Sequence, residues 1–560
     1  MLLLVLAQLI APPLQPGPVR LPGAAPQLQP AAEPAAPLLG PDEPRQAPGT
    51  EAPIAAPTAG GTAPLPRIEG LSHYPATALE QLLTPCTAVV EASERLDRCA
   101  ALLTSRLVAD GYVNSRVYPQ LEPAPGGTLL VVEGRLVEVR VRSSDRGLQR
   151  RLQRLVLPLQ GQVLHLPSLE RTILRLQQLP WVGGVNASLN RLGGDSTRGS
   201  LLLEAEAAPR RLQGELSLRN DGSSSNGQYR GLAILSRQGL LLPADQLLLV
   251  GELNGDDDPE IGYQLLSLSY GIPLGDGITW TTAAAASRRQ LVEVPGPLHD
   301  LGFFQQQLLG QLDLTMHEGL RQRLSAFAGL SANRNEAWLN GARFPAIVGG
   351  AEDGALSTGY LRVGVGWEAW PGRGALNGSL FALQGLAGFS GETALKELAS
   401  FGIQVGEARA LAGDLSLRWP LASHWQLLLR GAGQVAWAPL PSAMGFSLGS
   451  DNGLRGLPGQ AISGDSGLLG YGELNWSFWR QGLSELQLVP FLGAGWVTTP
   501  VQGSTDSGSL GAGGVLLRWL QGRHWQLELG WASQFGDDLG GAVPNLLIDN
   551  GLYSRVSLRF

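Results

Sequence analysis

The sequence predicts two small α+β units followed by an antiparallel β-barrel that crosses a membrane. Three observations predict it. From Arg210 to Phe560 apolar and polar residues alternate with a period of two, the pattern of strands with one apolar and one polar face. Of the 14 tryptophans only Trp181 lies before that region, and several of the rest bracket single strands, as in the aromatic girdles of membrane barrels. Charged residues make up only 16 % of the chain, yet no apolar run reaches the ~18 residues of a membrane helix. A chain that crosses lipid without such helices must do so as a closed barrel, because open strand edges cannot be left in hydrocarbon.

Met1–Ile10 is an apolar run followed by Ala11 and Pro12, and residues 1–12 are expected to be a signal peptide, atypical or truncated because no basic start precedes the run. Residues 13–66 are dominated by Pro, Ala, Gln and Leu and are expected to be an extended linker. Residues 67–141 form the first unit. Arg67–Ser72 reads as a short strand, and Ala76–Leu83 and Ser93–Asp110 read as helices. Leu96, Cys99, Leu103 and Leu107 recur at helical spacing, and Gly111 supplies the stop. The runs YVNSRVYPQ and TLLVVEGRLVEVRV then read as strands. Cys86 and Cys99 are close in sequence. An exported, oxidising location would let them pair as a disulfide, and two buried thiols on packed helices is the equally open alternative.

Residues 142–209 form the second unit. One helix carries Leu148, Leu152 and Leu155 on one face and Arg146, Arg150, Arg151 and Arg154 mostly on the other, which reads as a solvated face ahead of a surface that captures an acidic or extended client. A second helix follows in LPSLERTILRLQQLP, then the strand pair WVGGVNASLNRL and GSLLLEAEA.

Within 210–560, HWQLLLRGAGQVAW puts Trp425, Leu427, Leu429, Gly431, Gly433, Val435 and Trp437 on one face, with Gln426, Arg430 and Gln434 on the other and Leu428 as an exception. From Trp425 to Trp437 a tilted strand spans roughly 28 Å, matching the apolar band of a membrane barrel. RHWQLELGW repeats the device, with Trp525 and Trp531 outward and Gln526 and Glu528 inward, and YLRVGVGW does so more weakly. LYSRVSLRF ends the chain with Leu552, Val556, Leu558 and Phe560 on one face and Tyr553, Arg555 and Arg559 on the other.

Several motifs bear on chemistry. Gly445-Phe446-Ser447-Leu448-Gly449 fits G-x-S-x-G, but a glycine-rich loop follows where a hydrolase needs a helix. Asp256, Asp257, Asp258 and Glu260 could hold calcium but read as a solvated loop tip. The six histidines lack metal-ligand spacing, so no metal is expected. No phosphate-binding glycine loop is present, and the net charge of −7 gives no reason to expect nucleic acid. The chain is expected to be no enzyme and to need no cofactor.

Residues 451–476, DNGLRGLPGQAISGDSGLLGYGELNW, resemble the Val/Leu-Arg-Gly-Phe/Tyr loop of outer-membrane transporters of the two-partner secretion type, the haemolysin secretion/activation protein family. The order β-α-α-β-β of the first unit is that of a POTRA domain, and the stretch from Asp110 to Val139 resembles the first POTRA domain of that family. LQGELSLRNDGSSSNGQYRGLAILSRQGLLLPADQLLLV and YQLLSLSYGIPLGDGITW resemble its first barrel strands.

The resemblance implies α+β periplasmic POTRA domains followed by an antiparallel transmembrane β-barrel of sixteen strands over 210–560, with a loop near 449–470 folded into the pore. Leu454, Arg455, Gly456 and Leu457 would be its pore-loop residues, with Leu457 where an aromatic is usual. The family pairs the arginine with the aspartate of an F-x-D-x-G strand motif. The matching stretch holds Phe491, Gly493 and Gly495, so glycine replaces the aspartate, and Glu473 is the candidate partner instead. Phe560 is similar to the terminal signal by which barrel assembly machinery recognises its clients.

The implied function is export of an unfolded partner exoprotein, β-helical once folded, which the POTRA domains recognise in the periplasm and the pore passes without nucleotide. The implied partners are that exoprotein, outer-membrane lipid and the assembly machinery. A pore-plugging N-terminal helix, frequent in the family, fits poorly with the proline density of 13–66. The alternatives are an assembly or insertion factor of the same superfamily and a passive porin.

Overall fold

The computed structural model describes residues 64–560 except 90, 123–125, 178, 180–181, 194, 208–211, 223–226, 243–244, 256–260, 276, 292–300, 320, 351–353, 372, 459–460, 502–503, 537–547 and 549. The expected signal peptide, nearly all of the expected linker and the acidic cluster Asp256–Asp258 with Glu260 therefore lie outside the described residues. The chain divides into two compact units, one holding the α+β part up to Pro209 and one holding Arg210–Phe560.

The α+β part contains two copies of one topology. In the first, strand Arg67–Glu69 lies parallel to Thr128–Val132, which pairs antiparallel with Arg116–Gln120. Helices Ala76–Leu83 and Ala92–Ala109 bury Leu79, Leu83, Leu96, Leu103 and Leu107 against Leu129 and Val131. Gly111, at φ +92°, ends the second helix in a conformation that only glycine adopts without strain. Cys86 and Cys99 are joined by a disulfide, their Cα atoms 5.4 Å apart.

In the second copy, strand Arg135–Arg142 lies parallel to Arg198–Ala207, which pairs antiparallel with Val182–Arg191. Asp145 caps helix Arg146–Val156 by accepting the Gly147 and Leu148 N–H groups at 2.7 and 3.1 Å. Leu148, Leu152 and Leu155 face the core with Leu169, Ile173 and Leu176 of helix Leu166–Gln177.

The strand pairing corrects the expected boundary at 141/142. TLLVVEGRLVEVRV is two strands broken at Glu133-Gly134. The second, Arg135–Arg142, is the opening parallel strand of the second domain. Without it the second unit would have lacked the strand that helix Arg146–Val156 packs against. Both copies are POTRA domains in strand order and helix placement.

Sixteen antiparallel strands, from Leu212–Arg219 to Leu552–Arg559, form a closed barrel. Successive strands run antiparallel, so the turns Gln238–Gln246, Ala422–Trp425 and Gln481–Ser484 share one rim with the start of the first strand. The alternation behaves as the pattern requires. Val435 and Trp437 are exposed outward, and Gln434 is buried inward. Leu361, Val363 and Val365 are exposed, while Tyr360 and Arg362, which alternate with them, are buried. Trp425 stacks on Trp476 of the neighbouring strand with ring centroids 5.3 Å apart.

The last strand meets the first through Arg555↔Arg219 to Arg559↔Glu215. Phe560 extends the seam by exchanging both backbone hydrogen bonds with Gly214, at 3.0 and 2.9 Å. Its ring lies where a Gly214 Cβ would stand, 2.4 Å from that position. Glu215 joins the two strands by accepting from Arg555 at 2.7 Å and Arg559 at 2.9 Å.

Candidate functional site: a loop folded into the barrel

The loop between strands Trp425–Ala436 and Ser466–Gln481 folds back into the barrel as a hairpin of its own. Phe446–Leu448 pairs antiparallel with Ile462–Gly464. The tip between them closes through Ser450 N–H to Pro458 O at 2.9 Å, Leu454 N–H to Gly449 O at 3.1 Å and the Asn452 amide to Ser447 O at 2.6 Å. The serine of the G-x-S-x-G match, Ser447, is thus buried in a short strand, and its hydroxyl is tied to Asn452.

Leu448, Leu454 and Leu457 are fully buried. They pack on inward-facing Phe491, Leu510, Ala512, Leu516, Ala532 and Tyr553 of the last strands. Leu428, which broke the polar face of its strand, joins this same cluster. The wall is therefore apolar where the loop tip sits on it. Gly456, at φ +86°, approaches so closely that a Cβ would stand 2.8 Å from the Ala532 Cβ. Small residues on the wall and glycine in the loop are both required there, and Gln534 ties the contact by donating to Gly456 O at 3.0 Å.

Arg455 projects from the tip into an acidic and aromatic pocket. Its Nη1 lies 2.5 Å from Glu528 Oε2 and its Nη2 lies 3.5 Å from Glu473 Oε2. It also donates to the Tyr471 and Tyr553 hydroxyls, each at 3.2 Å, and its guanidinium lies over the Tyr553 ring at 5.2 Å. Glu528 is fully buried, and its other oxygen accepts from Arg518 at 2.7 Å. Register explains the cluster, because Arg518, Glu528 and Arg555 stand side by side on three adjacent strands. Arg555 is answered by Glu215, which leaves the two carboxylates Glu528 and Glu473 to face Arg518 and the loop's Arg455.

The structure thus places the expected Glu473 beside Arg455, but Glu528 is the nearer anion. The F-x-D-x-G departure has a steric counterpart. A Cβ at Gly493 would stand 2.9 Å from Leu454 Cδ2 and 2.9 Å from Tyr471 Cδ2, so the loop leucine occupies the space an aspartate would need. Gly495 is likewise covered by Leu448, and Phe491 lies under Arg455 at 6.0 Å.

The sequence reading did not find a second contact of opposite polarity. Asp451, four residues before Arg455, meets Arg230 of the second strand at 2.6 Å, and Ser450 accepts from the same guanidinium at 3.2 Å. Arg230 is buried against Glu252 at 2.8 Å and Asp221 at 3.6 Å. The loop therefore gives a cation to the last strands and an anion to the second strand, and so spans the seam where the barrel closes. At its outer end, burial raises the Asp465 carboxyl to about 6, opposed by the Leu440 N–H that it accepts at 3.2 Å.

Residues 200–516 match the family model for haemolysin secretion/activation protein ShlB/FhaC/HecB. The outer membrane transporter CdiB of Dickeya dadantii (strain 3937) is 23 % identical over 454 residues, 78 % of this chain and 76 % of that protein. The Escherichia coli outer membrane transporter CdiB is 23 % identical over 517 residues, 86 % of this chain and 79 % of that one. Among solved structures, CdiB from Escherichia coli matches with a TM-score of 0.57 at 20 % identity, covering 94 % of each chain. CdiB from Acinetobacter baumannii matches with a TM-score of 0.51 at 16 % identity, covering 90 % of each.

Proposed function

The chain belongs to the haemolysin secretion/activation protein family, ShlB/FhaC/HecB, and from that premise we propose that it exports an unfolded exoprotein by withdrawing its inner loop from the barrel. As a member it is an outer-membrane transporter of the two-partner secretion type, with its POTRA domains in the periplasm, and the family implies a secreted partner protein.

The POTRA domains receive the client while it is still extended. Among the described residues strand Val182–Arg191 pairs with another strand on one side only, with the Gln177 amide on Val185 O, so a client segment can add along its other edge through backbone hydrogen bonds whatever its sequence. The client then passes through the lumen, and its folding outside draws it onward with neither nucleotide nor cofactor. No step makes or breaks a covalent bond in the client, so the protein acts as a conduit and not as an enzyme.

The observation that carries this reading is the way the loop is held. This loop rests on leucines but is pinned at two points by ion pairs, Arg455 to Glu528 and Asp451 to Arg230. Such contacts trade for water when the loop leaves and re-form when it returns.

The test is secretion of a large repetitive exoprotein encoded beside this chain. The intact chain should release its N-terminal portion outside the cell, and Arg455→Ala should alter that release. No export, with other barrel proteins misassembled when this chain is depleted, would replace the transporter by an assembly factor.

A further inference from the structure

The turn joining strands Tyr229–Gln238 and Gln246–Gly255 carries three consecutive leucines, Leu240, Leu241 and Leu242, exposed by 40, 76 and 42 %. One carboxylate organises them. Asp245 is fully buried, and its two oxygens accept the backbone N–H of all three leucines, each at 2.7 Å. It also accepts the Tyr270 hydroxyl. Gly239 N–H to Asp245 O at 3.0 Å and Asp245 N–H to Leu242 O at 3.3 Å close the turn.

The turn lies on the outer side of the barrel. Tyr270 shares a strand face with Leu266, Leu268 and Leu274, which are exposed by 59, 46 and 62 %. Tyr270 is registered against Leu247, which is on the same face as Asp245. The turn also lies on the rim where the first strand begins, the periplasmic one. In water solvent can meet a turn's donors, and a carboxylate there accepts some of them, as Asp145 does at its helix. In hydrocarbon no N–H can be left without an acceptor, and Asp245 leaves none of the three unpaired, with the Tyr270 hydroxyl offsetting its charge.

We propose that Leu240–Leu242 is a membrane prong whose occupant is the acyl-chain region of the periplasmic leaflet. It is continuous with the barrel's apolar outer face, and Tyr270 marks the interface as aromatic residues do in barrel girdles. The prong lies about 5–10 Å below the headgroups, the depth of interfacial apolar elements. It anchors the rim near the seam, whatever the pore carries.

The test is a nitroxide on Leu241→Cys in the full chain, reconstituted into phosphatidylethanolamine/phosphatidylglycerol vesicles. The native cysteines are paired and do not compete for the label. The expected result is relaxation enhancement by oxygen and none by a water-soluble nickel chelate. Enhancement by the chelate would place the turn in water and overturn the proposal. Shielding from both reagents would mean that protein covers it and would overturn the proposal equally. Adding Asp245→Asn, which leaves one acceptor oxygen for three donors, should bring a clear gain in chelate accessibility. An unchanged profile would remove Asp245 as the clamp.

Discussion

Glu528→Gln keeps the shape of the side chain and removes the anion that Arg455 and Arg518 share. Arg455 lies 2.5 Å from it, Arg518 lies 2.7 Å from it, and its side chain has no solvent exposure. Removing one member of a buried ion pair costs about 3–5 kcal/mol, because the other charge stays buried without compensation. Glu473, at 3.5 Å, offsets part of that for Arg455. The docked loop should lose about 2–3 kcal/mol, on the order of a hundredfold in the closed-to-open ratio. Glu473→Gln removes a more distant charge and keeps an acceptor for the Tyr471 hydroxyl, so its cost should be about 1 kcal/mol. Single-channel recording in planar bilayers reads the open fraction directly, and protease cleavage at the loop tip reports displacement independently. Adding Glu528→Gln to Arg455→Ala should cost little more than Arg455→Ala alone, because the loop has then already lost the charge that Glu528 holds. An unchanged open fraction in Glu528→Gln, or a larger effect from Glu473→Gln, would refute the assignment of Glu528 as the principal latch.

The second anchor should be weaker, because the Asp451 side chain is 34 % exposed and water can replace it. Asp451→Asn should raise the open fraction several-fold, about 1 kcal/mol, while Arg230→Gln should also lower the heat stability of the barrel by leaving Glu252 and Asp221 facing each other. Asp465 couples loop docking to pH. Its carboxyl is held at about 6 when buried, above its ordinary 3.8, so docking strengthens as pH falls through that window and weakens as pH rises through it. Asp465→Asn should flatten this part of the pH dependence of loop cleavage and close the pore more firmly at pH 7. In the first POTRA domain, Cys86→Ser with Cys99→Ser should lower stability by about 3 kcal/mol, the cost of reopening a short loop, read as a lower urea midpoint.

What the sequence showed and hid follows the range of each interaction. Alternation is local, so the outward Trp525 and Trp531 and the inward Glu528 could be read from one strand alone. That Glu528 would stand beside Arg518 and Arg555 depends on the register of three strands, and no single strand carries it. Arg455 and Glu528 are 73 positions apart, and Arg230 and Asp451 are 221 apart. Glu473 was legible because it lies on the strand entered directly from the loop. The first POTRA boundary was misplaced for the same reason. TLLVVEGRLVEVRV looks continuous to a local reading, and only its separate partners, Arg116–Gln120 for the first half and Arg198–Ala207 for the second, divide it. Gly493 looked like a missing aspartate, whereas the structure fills its place with Leu454.

Export by this account requires the loop to leave the last strands, and a reversible tether tests that requirement most directly. Leu454→Cys with Gly493→Cys places one thiol on the loop and one on the wall, at positions in contact in the closed pore. Oxidation should stop release of the exoprotein and hold the channel shut, and reduction should restore both in the same cells. Export that continues at the unlinked rate while the cross-link is intact would contradict the account, because the client would then be passing with the loop in place.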